Sequence, residues 1–223
     1  MKTPVIVVNF KAYNEVCGES GLKLAKICEQ VAAETNHNIV IAPQMVDLAL
    51  TIRQINIPVF AQTIDNVKVG SSTGHATPES VAACGAKGTL INHSEHRLKL
   101  ADIESLILRA RELDLETIVC TNNLAVTRAC AELNPDYVAI EPPELIGGDI
   151  SVTTADPGIV KNAVDEVLKI NPKIGVLCGA GVKTGEDIKK AIELGTDGVL
   201  LASGVTKAAD PKTALLNLAS GFE

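Results

Sequence analysis

Several side chains able to move protons or hold charge stand at the ends of short apolar runs in this sequence. Lys11 follows Val5–Phe10, with Asn9 two positions before it. His93 closes Gly88–His93, and Glu141 closes Tyr137–Glu141. A carboxylate at the end of a buried run is desolvated, which disfavours its charge and makes it a better base. An imidazole can donate or accept a proton near neutral pH. A lysine ammonium at the same mouth could stabilise an anion formed in the reaction. The segment Ile91-Asn92-His93-Ser94-Glu95-His96-Arg97 places two histidines, a glutamate and an arginine within one turn of chain. His93 and His96 also have a metal-ligand spacing. A catalytic zinc takes three protein ligands, and no motif supplies the third, so no metal is expected.

Two further segments point to a phosphate and a moving loop. Cys178-Gly179-Ala180-Gly181-Val182 and Ala202-Ser203-Gly204-Val205 end apolar runs in small residues. Small residues expose backbone N–H groups, and a helix start behind them adds positive potential, a combination suited to phosphate. After Glu141 the chain reads Pro142-Pro143-Glu144-Leu145-Ile146-Gly147-Gly148. Prolines stiffen one end, glycines free the other, and the composition suits a hinged lid over a ligand. A static turn has the same composition.

The positioning elements follow from hydrophobic pattern. Eight short, β-branched runs recur: Val5–Phe10, Asn38–Ala42, Pro58–Gln62, Gly88–His93, Glu116–Thr121, Tyr137–Glu141, Ile174–Cys178 and Gly198–Ala202. Their near-continuous apolar character predicts strands buried on both faces. They recur about every 28 residues, the length of one strand–helix unit. Between them, Ile103, Leu106, Ile107 and Ala110 form a helical apolar stripe, as do Val160, Ala163, Val164, Val167 and Leu168, and Ile188, Ala191 and Ile192. Thr77-Pro78, Asp156-Pro157 and Asp210-Pro211 read as helix caps followed by Pro at the first helical position, and Gly195 as a helix end. The pattern predicts an α/β fold, a (β/α)8 barrel of eight parallel strands in one domain, residues 1–223. An open doubly wound sheet would carry a Gly-rich turn after its first strand, and Asn9-Phe10-Lys11 contains no glycine. In a barrel, chemistry belongs at the C-terminal strand ends, where the residues above fall.

Composition narrows the partners. The net charge of −7, without basic runs, argues against nucleic acid and anionic membranes. Two Tyr, three Phe and no Trp leave few stacking platforms for bases. No apolar run approaches a membrane span, and Met1-Lys2-Thr3-Pro4 does not lead into a signal peptide, which predicts a cytoplasmic protein. The six cysteines include no Cys-x-x-Cys pair and are expected to be small buried hydrophobes.

Taken in order, Asn9-Phe10-Lys11, Gly74-His75-Ala76-Thr77-Pro78-Glu79, His93-Ser94-Glu95-His96-Arg97 and Glu141-Pro142 resemble the motifs of the triosephosphate isomerase family, in its short archaeal form, over nearly the whole chain. The resemblance implies that Glu141 takes the carbon-bound proton and that neutral His93 polarises the carbonyl. It further implies that Lys11 stabilises the enediolate and that Asn9 positions substrate. Glu95 corresponds to the family's carboxylate beside the lysine. Ile146, Gly181, Ala202 and Ser203 fall where family backbone groups meet the phosphate, and Thr77 at the tip of a loop that docks into a neighbouring subunit. The implied substrate is a small triose phosphate, the implied assembly a homo-oligomer, dimer or tetramer, and no cofactor is called for. His96 stands where the family usually has Arg, the lid lacks a tryptophan, and Ala202-Ser203 replaces Gly-Gly. The last two features are shared with the archaeal form. Two other readings stay open at this point: another phosphate-binding barrel enzyme, such as a sugar-phosphate epimerase, or a non-catalytic sugar-phosphate-binding barrel.

Overall fold

The computed structural model describes residues 1–146, 148 and 150–223. Among these residues there are eight strands: β1 (Val5–Asn9), β2 (Asn38–Ala42), β3 (Phe60–Ala61), β4 (Gly88–Ile91), β5 (Glu116–Thr121), β6 (Tyr137–Ile140), β7 (Gly175–Gly179) and β8 (Gly198–Leu201). They pair in parallel in the order β2-β1-β8-β7-β6-β5-β4-β3. A single parallel bridge, Ile41 to Val59, brings the last strand back to the first. The result is a nearly closed (β/α)8 barrel.

Side-chain alternation explains why these runs form a barrel. Val5 and Val7 of β1 pack inward with Phe60, Leu90, Ile118 and Leu200. Ile6, Val8 and Phe10 belong to the outer core shared with the helices, which includes Leu24, Leu106 and Leu215. Successive residues thus fill two different layers, and both must be apolar.

Strand boundaries differ from the sequence expectation where backbone geometry intervenes. The run Pro58–Gln62 yields only Phe60–Ala61 as strand; Pro58 has no N–H to give a ladder, although its carbonyl accepts from Ile41 N–H at 3.2 Å. β4 stops at Ile91 because Asn92 turns to φ +61°. Asn92 is fixed there by its side chain, which donates to Cys120 O at 3.0 Å and accepts from Leu98 N–H at 2.9 Å.

The helices carry the expected faces with one exception. Ile103, Leu106, Ile107 and Ala110 are buried in helix Leu100–Glu112, as are Val160, Ala163, Val164 and Val167 in helix Pro157–Ile170. Leu168, expected in the second stripe, is 47% exposed, because at one position past Val167 it lies beyond the edge of the buried face. Ile188 and Ala191 are buried in helix Gly185–Glu193, and Ile192 packs against the core at its edge. Thr77, Asp156 and Asp210 each cap their helix by accepting a backbone N–H, and Gly195 adopts φ +95° just past a helix end.

The cysteine expectation needs a correction. Cys28, Cys120, Cys130 and Cys178 are buried, but Cys17 and Cys84 are exposed. Cys17 lies in a turn ahead of helix Glu19–Thr35, and Cys84 is the last residue of helix Pro78–Cys84. No helix among the described residues is long and apolar enough to cross a membrane.

Candidate active site

The barrel's C-terminal mouth holds one cleft that collects most of the residues singled out in the sequence. Asn9, Lys11, His93 and Glu141 line it from β1, β4 and β6, and Ile146, Gly181, Ala202 and Ser203 line it from the loops after β6, β7 and β8. Tyr13, Ala180, Val182, Leu200 and Leu201 complete the wall. Thr77 is not in this cleft; it caps helix Pro78–Cys84, accepting from Ser80 N–H at 3.2 Å.

Lys11 is held in a costly conformation. Its φ is +50°, a region a residue with a side chain occupies only when its surroundings impose it. Asn9 Oδ1 accepts the Lys11 N–H at 2.9 Å, and Gln62 Nε2 donates to the Lys11 carbonyl at 3.0 Å while also reaching Ala42 O at 3.0 Å. Three strand ends therefore fix one lysine. Its ammonium lies 2.8 Å from Glu95 Oε1. The lysine side chain is only 10% exposed and Glu95 57%, so the pair joins the cleft wall to solvent.

The His93 ring orientation follows from a backbone amide. Glu95 N–H donates to His93 Nδ1 at 3.2 Å. An accepting Nδ1 carries no proton, which places the ring's N–H on Nε2. Nε2 points at Glu141 Oε2 across 3.7 Å, beyond hydrogen-bond range. His96 N–H closes the turn on His93 O at 2.8 Å, and the His96 side chain is exposed.

Glu141 is a buried carboxylate with unusual surroundings. Its Oε2 is buried without a hydrogen-bond partner among the described residues. Burial pushes its pKa above the ordinary glutamate range, opposed by the nearby His93, the Cys120 thiol and Lys11. The Cys120 thiol is itself pushed well up, chiefly by burial and then by the Glu141 charge. Gly179 makes room for this carboxylate: a Cβ there would lie 2.7 Å from Glu141 Oε1 and 2.8 Å from its Cγ. The sequence does not single out Cys120 or Gln62 as site residues, and it marks Gly179 only as part of the small-residue segment suited to phosphate, not as a neighbour of Glu141. A polar residue ending a strand run marks Gln62, whereas the other two emerge only from the pairing of β5, β6 and β7.

The opposite corner is built from backbone. Ala180 and Gly181 take φ values of +77° and +71°, and a Cβ on Gly181 would meet Ile150 O at 2.1 Å. Ser203 opens the short helix Ser203–Thr206. The segment after Glu141 forms a single 3-10 turn, Pro143–Leu145. Leu145 N–H donates to Pro142 O at 3.1 Å, Ile146 N–H to Pro143 O at 3.2 Å, and Gly148 N–H to Leu145 O at 3.1 Å. Pro143 and Glu144 are exposed while Ile146 reaches the cleft; Gly147, the first hinge glycine, lies outside the described residues.

Chemically, the cleft offers a desolvated base, an N–H donor facing it and a cation at the same mouth. That set suits removal of a proton next to a carbonyl, with the developing oxyanion stabilised. The comparisons agree with this chemistry. The family profile described as triosephosphate isomerase matches residues 4–220. A triosephosphate isomerase of Methanocaldococcus jannaschii is 53% identical over 214 residues, covering 96% of this chain and 98% of its own. That of Methanobacterium bryantii is 53% identical over 219 residues, covering 98% and 97%. That of Archaeoglobus fulgidus is 52% identical over 217 residues, covering 97% of each chain. With the family profile matched over residues 4–220 and relatives about half identical over nearly the whole chain, the chain belongs to the triosephosphate isomerase family.

Proposed function

We propose that this protein interconverts D-glyceraldehyde 3-phosphate and dihydroxyacetone phosphate, moving one proton between adjacent carbons through an enediolate. The observation that carries the reading is the placement of His93 Nε2 opposite Glu141 Oε2 at 3.7 Å, with Lys11 lining the same cleft. Glu141 removes the proton from the carbon beside the carbonyl and becomes the carboxylic acid. His93 donates from Nε2 to the carbonyl oxygen, and the electron pair of the broken C–H bond forms the enediolate double bond. Lys11 stabilises the negative oxygen, and Asn9 orients the substrate and the Lys11 backbone. The Nε2 proton of His93 then passes to that oxygen, His93 recovers a proton from the adjacent hydroxyl, and Glu141 returns its own proton to the neighbouring carbon as the carbonyl re-forms on the other oxygen.

Glu95 supports this set by holding Lys11 through its carboxylate and His93 through its amide. The substrate phosphate is assigned to the corner formed by Ile146, Gly181, Ala202 and Ser203. The segment Pro142–Gly148 acts as a lid that excludes water during turnover. The reaction asks for no metal or redox cofactor, since one acid–base pair and one cation suffice. Residues 1–223 act as a single barrel domain in the cytoplasm, assembled as a homo-oligomer in which Thr77 belongs to the loop that meets the neighbouring subunit. A coupled isomerase assay in the presence of chelator tests the reading. Turnover without metal supports it; binding of a triose phosphate without turnover refutes it.

A further inference from the structure

Beside the phosphate corner lies a second cleft of about 420 Å3, lined by Tyr13, Lys183, Ser203, Gly204, Lys207 and Ala208. Tyr13 and Ser203 line the candidate active site as well, so the two clefts share a wall. The chain carries 27 acidic and 20 basic residues, and the positive charge at issue in this lining is that of Lys207.

The Lys207 ammonium is oriented by an aromatic ring and makes no ion pair among the described residues. It lies 4.2 Å from the centroid of the Tyr13 ring, a cation–π contact that leaves its N–H donors available to an anion. Tyr13 is anchored in turn, its carbonyl accepting from Gln44 Nε2 at 3.2 Å. The Lys207 backbone N–H bonds Ser203 O at 3.2 Å, so this lysine lies one turn beyond the phosphate corner. A positive charge is thus held at the edge of a site that already takes one phosphate.

We propose that this cleft is a second anion subsite, which takes the second phosphate of a small bisphosphorylated ligand whose first phosphate occupies the corner at Gly181, Ala202 and Ser203. The inference rests on that corner being the phosphate site of the proposed isomerase. The isomerase substrates carry one phosphate and leave the second cleft unused. Small bisphosphates therefore act as competitive inhibitors that engage both subsites.

The test compares propane-1,3-diol bisphosphate with propyl phosphate as inhibitors of isomerisation by the full chain, at fixed ionic strength. The bisphosphate is expected to have a Ki lower by about tenfold, the scale of one added charge-assisted contact. In Lys207→Gln that advantage falls to about twofold, the statistical benefit of carrying two phosphates. Lys207→Gln keeps the parental kcat and propyl phosphate Ki, and Lys207→Arg retains the bisphosphate advantage. Equal inhibition by the two compounds in the parent overturns the second subsite alone. So does a Lys207→Gln variant that weakens both compounds in proportion, since only a general field would then be at work. If propyl phosphate fails to compete with substrate, the assignment of the corner fails, and the second subsite with it.

Discussion

His93 Nε2 and Glu141 Oε2 face each other across 3.7 Å, from the ends of β4 and β6, with side chains only 8% and 7% exposed. The gap is too long for a direct hydrogen bond and short enough for both atoms to touch the same substrate carbon–oxygen unit. The Glu95 N–H fixes the His93 ring from one side, and the bare Gly179 leaves room for the Glu141 carboxylate on the other.

The pH dependence follows from the burial of Glu141. Its pKa is raised in the folded protein, so between the ordinary glutamate range and that raised value the folded state binds more protons than the unfolded one. Its contribution to stability is therefore greatest at low pH and declines as pH rises through this window. Glu141→Gln should raise Tm near neutral pH, and the gain should vanish below the ordinary glutamate range. In the parent, the acid limb of kcat/KM should lie above that range. Differential scanning calorimetry and a pH–rate profile check the two halves.

In the proposed mechanism the Lys11 ammonium meets the bound substrate and the enediolate alike, so Lys11→Met should damage both KM and kcat. Steady-state kinetics separate the two. A change in kcat alone would mean that Lys11 acts only in the transition state.

Gly179→Ala should be disproportionately harmful for one added methyl. Its Cβ would lie 2.6 Å from Leu200 O and 2.7 Å from Glu141 Oε1, and the carboxylate is the part that can move. We expect kcat to fall by at least about tenfold as the base is displaced, together with a stability loss of about 1–3 kcal/mol from overpacking. Kinetics and denaturant titration measure both, and parental kcat would show that Glu141 tolerates the crowding.

The barrel was legible because parallel strands buried on both faces write themselves as apolar runs, and the cleft was legible because polar residues at the strand ends, Asn9, Lys11, His93 and Glu141, interrupt those runs. Helix starts were legible at Thr77, Asp156 and Asp210 because capping is a local interaction. What escaped was anything decided between strands. Gln62 braces Lys11 from β3, Cys120 lies against Glu141 from β5, and Gly179 clears space for it from β7. Each depends on register, which a run of similar apolar residues does not specify. The exposed Leu168 shows the same limit on a helix, where a stripe's edge is set by its neighbours.

Deleting Leu145–Gly147 and rejoining the chain should lower isomerisation and raise the share of turnovers that end in free phosphate. An enediolate left open to water can align its phosphate for elimination, and a closed lid prevents that. Phosphate released per isomerisation event, with folding checked by circular dichroism, measures the effect. A folded variant with parental rate and no extra phosphate would make this segment a static turn.

The central claim is that Glu141 moves the carbon-bound proton. It is tested most directly by running parent and Glu141→Gln in D2O with chelator, following kcat and the deuterium at the reacting carbon of recovered substrate and product by NMR. The parent should isomerise without metal and incorporate solvent deuterium, because the proton held by Glu141 exchanges before it is returned. Glu141→Gln should lose at least about 100-fold in kcat, the low end of a general base's contribution, and deuterium incorporation should fall with it. Near-parental turnover and incorporation in Glu141→Gln would contradict the assignment.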